Sequence, residues 1–372
     1  MKRINVNLKH KGYSILIGRN LLSSIGQLIR PLRIGSNILI VSNKKIPSRF
    51  LSTIQNSLRK KGFKTHSYLL PFGNERDKSV DVLRKTWERM ARIPLDRSSA
   101  VVVLGGGVIG DVVGFAASTY MRGISLIQIP TTLLAQVDSS IGGKTAIDLP
   151  SAKNIIGTFY QPKLVISDLD VLKTLKPIEF KNSFSEIIKY GMIGDLKLFE
   201  LLEKKLSGFL SSIEIGKFDK EDFSFLETVI SRSAQAKARI VSQDERETLG
   251  KRMILNYGHT FAHAIEGASK FKLPHGQAVA IGMIFAGELA CRMNIFSREA
   301  QVRQIKLIAK LGLSLNHRYS SAQIVPFMKR DKKVKNGKMR FVLPKRIGQV
   351  GIYENVPEKL VRKVLDDYRS ER

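Results

Sequence analysis

Three of the chain's six histidines, His259, His263 and His275, fall within 17 residues. His259 and His263 stand four apart, so a helix here puts both rings on one face. Neutral imidazoles are ligands for a divalent transition metal, and on spacing alone both are candidates. Thr260 follows His259, which excludes the H-E-x-x-H pattern of zinc proteases. His275 lies between Pro274 and Gly276, at an expected helix start. A catalytic zinc asks for three protein ligands and an open position, so a carboxylate has to come from elsewhere. Glu186, in Phe184-Ser185-Glu186-Ile187-Ile188-Lys189-Tyr190, is the best candidate because its apolar neighbours point to a buried helix. On spacing alone, an ordinary ion pair with Lys189 at i, i+3 is the better account of Glu186.

A second chemistry is written in glycine. The run Gly105-Gly106-Gly107-Val108-Ile109-Gly110-Asp111 follows the apolar stretch Ala100–Leu104 and leads into helix-compatible sequence. It fits G-x-G-x-x-G between strand and helix, where a backbone free of side chains can approach a pyrophosphate at a helix N-terminus. It does not lie in the first strand–helix–strand unit, and no acidic residue ends a strand some 20 residues on, so a plain tight turn competes. A further segment, Asp138-Ser139-Ser140-Ile141-Gly142-Gly143-Lys144-Thr145, resembles a phosphate loop but has Asp138 where the P-loop pattern needs glycine.

The elements that must position these residues change character along the chain. Tyr13–Ile17, Asn37–Val41, Thr65–Leu70, Ala100–Leu104, Ser125–Ile129 and Lys163–Ser167 are short apolar runs read as strands. Ser48–Lys61 and Val80–Arg92 have helical periodicity. Strands buried on both faces with helices between them predict a parallel α/β sheet. After Pro177 the pattern is helix after helix: Ile178–Met192, Leu196–Leu206, Ser224–Ser242, His259–Ala268, Gly276–Met293, Arg298–Leu311, Ala322–Lys329 and Pro357–Tyr368. Only Phe341–Leu343 and Val350–Tyr353 read as extended. The expected division is an α/β nucleotide-binding domain over 1–177 and a helical domain over 178–372, with a ligand between them.

Composition bounds the class. The 372 residues are 43% apolar and 25% charged, inside the globular range. A single cysteine, Cys291, excludes an internal disulfide framework and a cysteine zinc cluster. The net charge of +30 raises nucleic acid as a partner, and Met328–Arg346 holds nine Lys/Arg against one acid. No RNA-binding aromatic signature, zinc finger or heptad array accompanies it, which argues against nucleic acid. The first ten residues lack the apolar core of a signal peptide, and the longest weakly polar stretches are too short to span a bilayer. No membrane association and a cytoplasmic location are expected.

Taken together, the segments 105–111, Pro130–Thr145, Lys153-Asn154-Ile155-Ile156-Gly157, Glu186–Lys189, Asn256–Glu266 and His275-Gly276 resemble the 3-dehydroquinate synthases of the shikimate pathway, from about residue 70 to 350. The resemblance implies a Rossmann-like N-terminal domain, a mostly helical metal-binding C-terminal domain and a homodimer. It implies one zinc or cobalt ion on Glu186, His259 and His275, with His263 moved to substrate and proton handling. It implies NAD on Gly73, Asn74, Glu75, Arg76, Asp77 and Lys78, on Gly107, Val108, Ile109, Gly110 and Asp111, on Thr131, Thr132, Lys144 and Lys153, and on Val171, Leu172, Lys173 and Thr174. The substrate set it implies is Asp138, Lys144, Asn154, Lys189, Lys237, Arg252, Asn256, His263 and Lys332, with Arg122 reaching the phosphate in a neighbouring subunit.

The implied substrate, 3-deoxy-D-arabino-heptulosonate 7-phosphate, carries a carboxylate and a phosphate, and Lys144, Lys189, Lys237 and Arg252 supply fixed cations for them. The implied reaction oxidises the carbon-5 hydroxyl with NAD, eliminates phosphate, returns the hydride, opens the ring and closes the carbocycle by an intramolecular aldol step. Three alternatives stand beside it: a sister sugar-phosphate cyclase whose substrate lacks the carboxylate, a metal-dependent polyol dehydrogenase, and a basic nucleic-acid-binding protein.

Overall fold

The computed structural model describes residues 1–9, 12–150, 152–329 and 339–369. The chain forms two compact units. One comprises Met1–Leu175 with Leu226–Arg246, the other Lys176–Phe225 with Glu247–Arg372.

The first unit holds strands β1 (Lys2–Val6), β2 (Tyr13–Gly18), β3 (Asn37–Asn43), β4 (Lys64–Leu70), β5 (Ala100–Gly105), β6 (Ser125–Pro130), β7 (Lys144–Leu149), β8 (Ala152–Phe159) and β9 (Leu164–Asp168). Its helices are α1 (Ile25–Ile29), α2 (Ser48–Arg59), α3 (Val80–Ala91) and α4 (Gly107–Thr119). Seven strands form a sheet in the order β1-β2-β9-β6-β5-β3-β4, antiparallel between β1 and β2 and parallel elsewhere. All six residues of β5 are buried, as a central parallel strand requires. Leu39, Val41, Val101 and Val103 pack with Leu83 and Met90 of α3 and Val112, Val113 and Ala116 of α4. The sequence pattern misses β1, and it misses the β7–β8 hairpin, which pairs apart from the main sheet.

The second unit is mainly helical: α5 (Pro177–Gly194), α6 (Leu196–Glu214), the start of α7 (Lys220–Gln243), α8 (His259–Ala268), α9 (His275–Arg292), α10 (Arg298–Ala309), α11 (Ser321–Lys329) and α12 (Glu358–Asp367), with one hairpin of β10 (Phe341–Arg346) and β11 (Gln349–Tyr353). The rest of α7, from Leu226, groups with the first unit. Burial explains why α5 and α9 are the inner helices: twelve of eighteen residues of α5 and fifteen of eighteen of α9 are buried. Phe180 and Phe184 of α5 meet Phe209 of α6 with ring centroids 5.9 and 5.6 Å apart. Ser297 caps α10 as expected, its hydroxyl accepting from Ala300 N at 3.2 Å. Among the described residues, no helix is long and apolar enough to cross a membrane.

Candidate metal centre and dinucleotide cradle

In the second unit, backbone contacts bring three helices to one point. A Cβ at Gly276 would stand 2.1 Å from Asn182 O, so only glycine lets the first turn of α9 close on α5. Gly258 (φ +78°) begins α8, and a Cβ at Gly282 would stand 2.1 Å from Gly258 O, which brings α8 against α9. Glu186 of α5, His259 of α8 and His275 of α9 then converge, with one ligand atom from each lying within 4.8 Å of the others. Glu186 Oε1 is 3.2 Å from His259 Nε2 and 3.3 Å from His275 Nε2. A tetrahedral ion with bonds of about 2.0–2.1 Å separates its ligands by about 3.3 Å, so the donor types and spacing fit zinc or cobalt.

The charges are consistent with a cation site. Burial opposes ionisation of Glu186, but Lys189 and the two imidazoles outweigh it and hold its carboxyl well below the usual range. Lys189 Nζ lies 2.5 Å from Glu186 Oε2, and both side chains are buried. Burial pushes His259 down to about 4, which keeps it neutral. His275 is also penalised by burial, yet contact with Glu186 and Glu266 raises it to about 10. In the metal-free chain a proton on His275 thus supplies positive charge where an ion fits. His263 is outside the convergent trio; its ring centroid is 5.4 Å from that of His259 and 6.4 Å from that of His275. Arg252 is buried, with Nε 3.4 Å from Glu247 Oε1, and Asn256 ends the short helical segment Lys251–Asn256.

In the first unit, β5 runs into Gly105-Gly106-Gly107 and α4 begins at Gly107. A Cβ at Gly107 would stand 2.8 Å from Ser139 Oγ, and one at Gly106 3.1 Å from Thr132 Cγ2. Val108 and Ile109 belong to the first turn of α4, with Gly110 following against Gln128. Asp111 is pushed up to about 6 by burial, in spite of Lys78 Nζ at 2.8 Å. Lys78 also donates to Asn154 Oδ1, and Asn154 sits at φ +52°. The 73–78 loop is organised from within: Asp77 is fully buried and accepts from Phe72 N and Gly73 N, while Asn74 caps a single turn through Arg76 N at 3.1 Å. Glu75 Oε2 lies 4.0 Å from Lys153 Nζ. Thr131 N bonds Gly105 O at 3.1 Å, and Thr132 Oγ1 accepts from Ala135 N at 3.2 Å. Val171 and Leu172 are fully buried, and Lys173 is paired with Asp170 at 2.9 Å.

Asp138 lies on a π-helical turn, Ala135–Ser139. Gln136 fixes that turn: its Nε2 donates to Pro130 O at 3.1 Å and Asp168 O at 2.9 Å, joining the ends of β6 and β9. The turn offers Asp138 O at 2.6 Å and Oδ1 at 3.0 Å to Lys237 Nζ. Lys144 is exposed at the start of β7. Arg122 is exposed beside Met121, both at positive φ. Lys332 lies outside the described residues. Sequence reasoning gives no role to Glu266, whose Oε1 is 3.1 Å from His275 Nδ1. The signal is its position seven after His259, on the same face of α8 as His263. It also passes over Gln136, for which local spacing gives no cue.

Comparison with known proteins bears on both halves. A family model described as 3-dehydroquinate synthase N-terminal matches residues 68–182, and one described as 3-dehydroquinate synthase C-terminal matches 183–334. The chain is 44% identical over 366 residues to the 3-dehydroquinate synthase of Rippkaea orientalis, covering 97% of each. It is 45% identical over 369 residues to that of Microcystis aeruginosa, covering 99% of this chain and 98% of the relative. Among solved structures, a 2-deoxy-scyllo-inosose synthase complexed with carbaglucose-6-phosphate, NAD+ and Co2+ superposes with a TM-score of 0.85 at 27% identity, covering 99% of this chain and 100% of the other. A glycerol dehydrogenase from Schizosaccharomyces pombe shares the fold at a TM-score of 0.67 and 16% identity, covering 95% of this chain and 89% of the other.

Proposed function

This chain belongs to the 3-dehydroquinate synthase family and has that activity; from this premise we propose how its residues divide the work. The substrate is 3-deoxy-D-arabino-heptulosonate 7-phosphate, and the products are 3-dehydroquinate and phosphate. The observation that carries the reading is the meeting of Glu186 Oε1 with the Nε2 atoms of His259 and His275 at 3.2 and 3.3 Å. A zinc or cobalt ion held by these three would supply the charge that acidifies the substrate's hydroxyls. NAD, held by the 73–78 loop, Gly107–Asp111, Thr131, Thr132, Lys144, Lys153 and residues 171–174, would supply a hydride acceptor that is regenerated in each turnover.

The residues of the chain do the binding and the ordering. Lys189, Lys237 and Arg252 each stand beside a carboxylate already, so their ammonium and guanidinium groups are oriented before an anion arrives. Lys144, exposed on β7, is free of burial cost and suits a phosphate or dinucleotide oxygen. Asn154, held by Lys78, orients a hydroxyl. His263 offers a ring nitrogen to hold or pass a proton, and Asn256 orients the reacting group through its amide. With the sugar's own phosphate as base for its elimination, the protein's share of that step is conformational control.

Two assignments complete the proposal. The α/β region over 1–177 carries the dinucleotide and 178–372 the metal. A second copy supplies Arg122 to its partner; the exposed Ile155, Ile156 and Phe159 of β8 offer apolar surface for pairing. A reducing cytoplasm suits the one buried free cysteine.

The test is phosphate release from the heptulosonate phosphate with and without NAD and a chelator. Release that needs both NAD and metal, with no net NADH, is the expected result. Reaction of sedoheptulose 7-phosphate in its place, or steady NADH from a simple polyol, overturns the substrate assignment.

A further inference from the structure

The two imidazoles that converge on Glu186 are held differently from behind. Each presents Nε2 to Glu186 Oε1. Each turns Nδ1 to an acceptor: Tyr257 O for His259 and Glu266 Oε1 for His275, both at 3.1 Å. A carbonyl and an ionised carboxylate only accept, so with an ion in place of any Nε2 proton each Nδ1 carries the ring's hydrogen and each Nε2 faces the convergence point. For His259 the acceptor is backbone from the same turn. Tyr257 is fully buried, with its hydroxyl 2.6 Å from Gln304 Oε1, so that carbonyl cannot wander. His275 has no such backing. It is the first residue of α9, its side chain is 39% exposed, and its orientation depends on a side chain from another helix.

That side chain is itself well placed. Glu266 sits near the end of α8 and its side chain is 13% exposed. Its carbonyl accepts from Ser269 Oγ at 2.8 Å and Phe271 N at 2.7 Å, which fixes the backbone there. It approaches His275 from the side away from Glu186, so it cannot share the convergence point without the ring turning over.

We propose that Glu266 is a positioning residue that fixes the ring orientation and tautomer of His275 for a divalent ion, while a backbone carbonyl does the same for His259. This rests on the reading that Glu186, His259 and His275 bind a metal. Loss of such an outer partner typically weakens metal binding roughly 10- to 100-fold. The charge adds to ligand basicity, and the acceptor atom alone retains part of the orientation.

The experiment uses Co2+ itself as the probe on the full-length, metal-stripped protein. Affinity is measured by chelator competition and the site's geometry by its visible absorption. Glu266→Ala is expected to weaken Co2+ by roughly 10- to 100-fold and to alter the absorption, with Glu266→Gln between it and the parent. Circular dichroism and NAD affinity, read on the same samples, stay at parental values. Should Glu266→Ala lose its fold, the near-isosteric Glu266→Gln carries the test through a loss of more than twofold. Co2+ affinities within twofold of the parent for the folded variants overturn the proposal. The metal reading is checked apart from it: a parent that takes up no Co2+, or a His275→Ala variant that binds as tightly as the parent, overturns that reading first.

Discussion

In the proposed reading, the metal cluster and the glycine turn bind their ligands in opposite ways. In the second unit the working atoms are side chains, three of them drawn from three helices and set before any ligand arrives. Glu186 and Lys189 are buried ions, and their desolvation is tolerated because each offsets the other. In the first unit the working surface at Gly105–Gly107 is backbone, and what matters there is the side chain that is missing. The charged groups nearby, Lys78 and Asp111, are paired with each other and leave the turn itself neutral. A cluster built from side chains is sensitive to single substitutions in an all-or-none way. A turn built from backbone degrades by degrees as atoms are added. Substitutions at four positions put that contrast to the test.

The largest effect is expected from Glu186→Ala. It removes the atom on which both imidazoles converge and leaves Lys189 buried without that partner, a loss of about 3–5 kcal/mol for a broken buried pair. Co2+ binding and phosphate release should vanish, and thermal denaturation should shift down, while NAD still binds. Retained metal binding would show that the cluster is not the cation site.

Next comes Lys237→Met. Lys237 is oriented by Asp138 O and Oδ1, and a charged hydrogen bond is worth about 1.5–3 kcal/mol, or roughly 10- to 100-fold. The expected outcome is a rise in KM for the heptulosonate phosphate of that order, with Co2+ and NAD affinities unchanged. A fall in kcat alone would move Lys237 from binding to chemistry.

Gly107→Ala should cost less. The added Cβ meets Ser139 Oγ at 2.8 Å, but that hydroxyl ends a side chain that can rotate away. The loss belongs at the low end of the about 1–3 kcal/mol range for overpacking, a several-fold weaker NAD affinity by fluorescence titration. Gly107→Val should be worse in the same direction, and Co2+ binding should respond to neither.

The same contrast governs what the sequence could reveal. Strands such as Asn37–Val41 and Ala100–Leu104 are legible because burial on both faces demands unbroken β-branched runs. Strand β8 is not, since Lys153, Asn154 and Gly157 belong to an exposed strand whose pairing depends on β7 alone. Ser224–Ser242 reads as a helix, yet nothing in its periodicity says that from Leu226 onward it packs with the first unit. The histidines announce metal chemistry by type, but spacing leaves His259, His263 and His275 on equal terms. Only the meeting of helices separated by 89 positions along the chain selects the pair facing Glu186. Spacing puts Glu266 on the histidine face of α8 but does not name His275 as its partner, and for Gln136 local spacing identifies neither carbonyl it reaches. The glycine turn is the reverse case, recognisable locally and silent about what it holds.

The smallest effect is one of pH, and it separates the two regions by sign. Burial raises Asp111 from the ordinary 3.8 to about 6, and Lys78 only partly offsets this. The folded chain therefore holds this proton more tightly than the unfolded chain does. The contribution to stability is fully present below about 3.8 and is lost as pH rises through about 6. Glu186, held low by Lys189 and the imidazoles, runs the other way: its contribution is present above the unfolded carboxylate range and is lost on acidification. Asp111→Asn removes the first term and leaves the second. Across pH 4 to 6, thermal midpoints of this variant should climb more steeply with pH than those of the parent. Parallel curves would mean that Lys78 neutralises Asp111 fully, and that the glycine turn stands beside a settled ion pair and not a strained one.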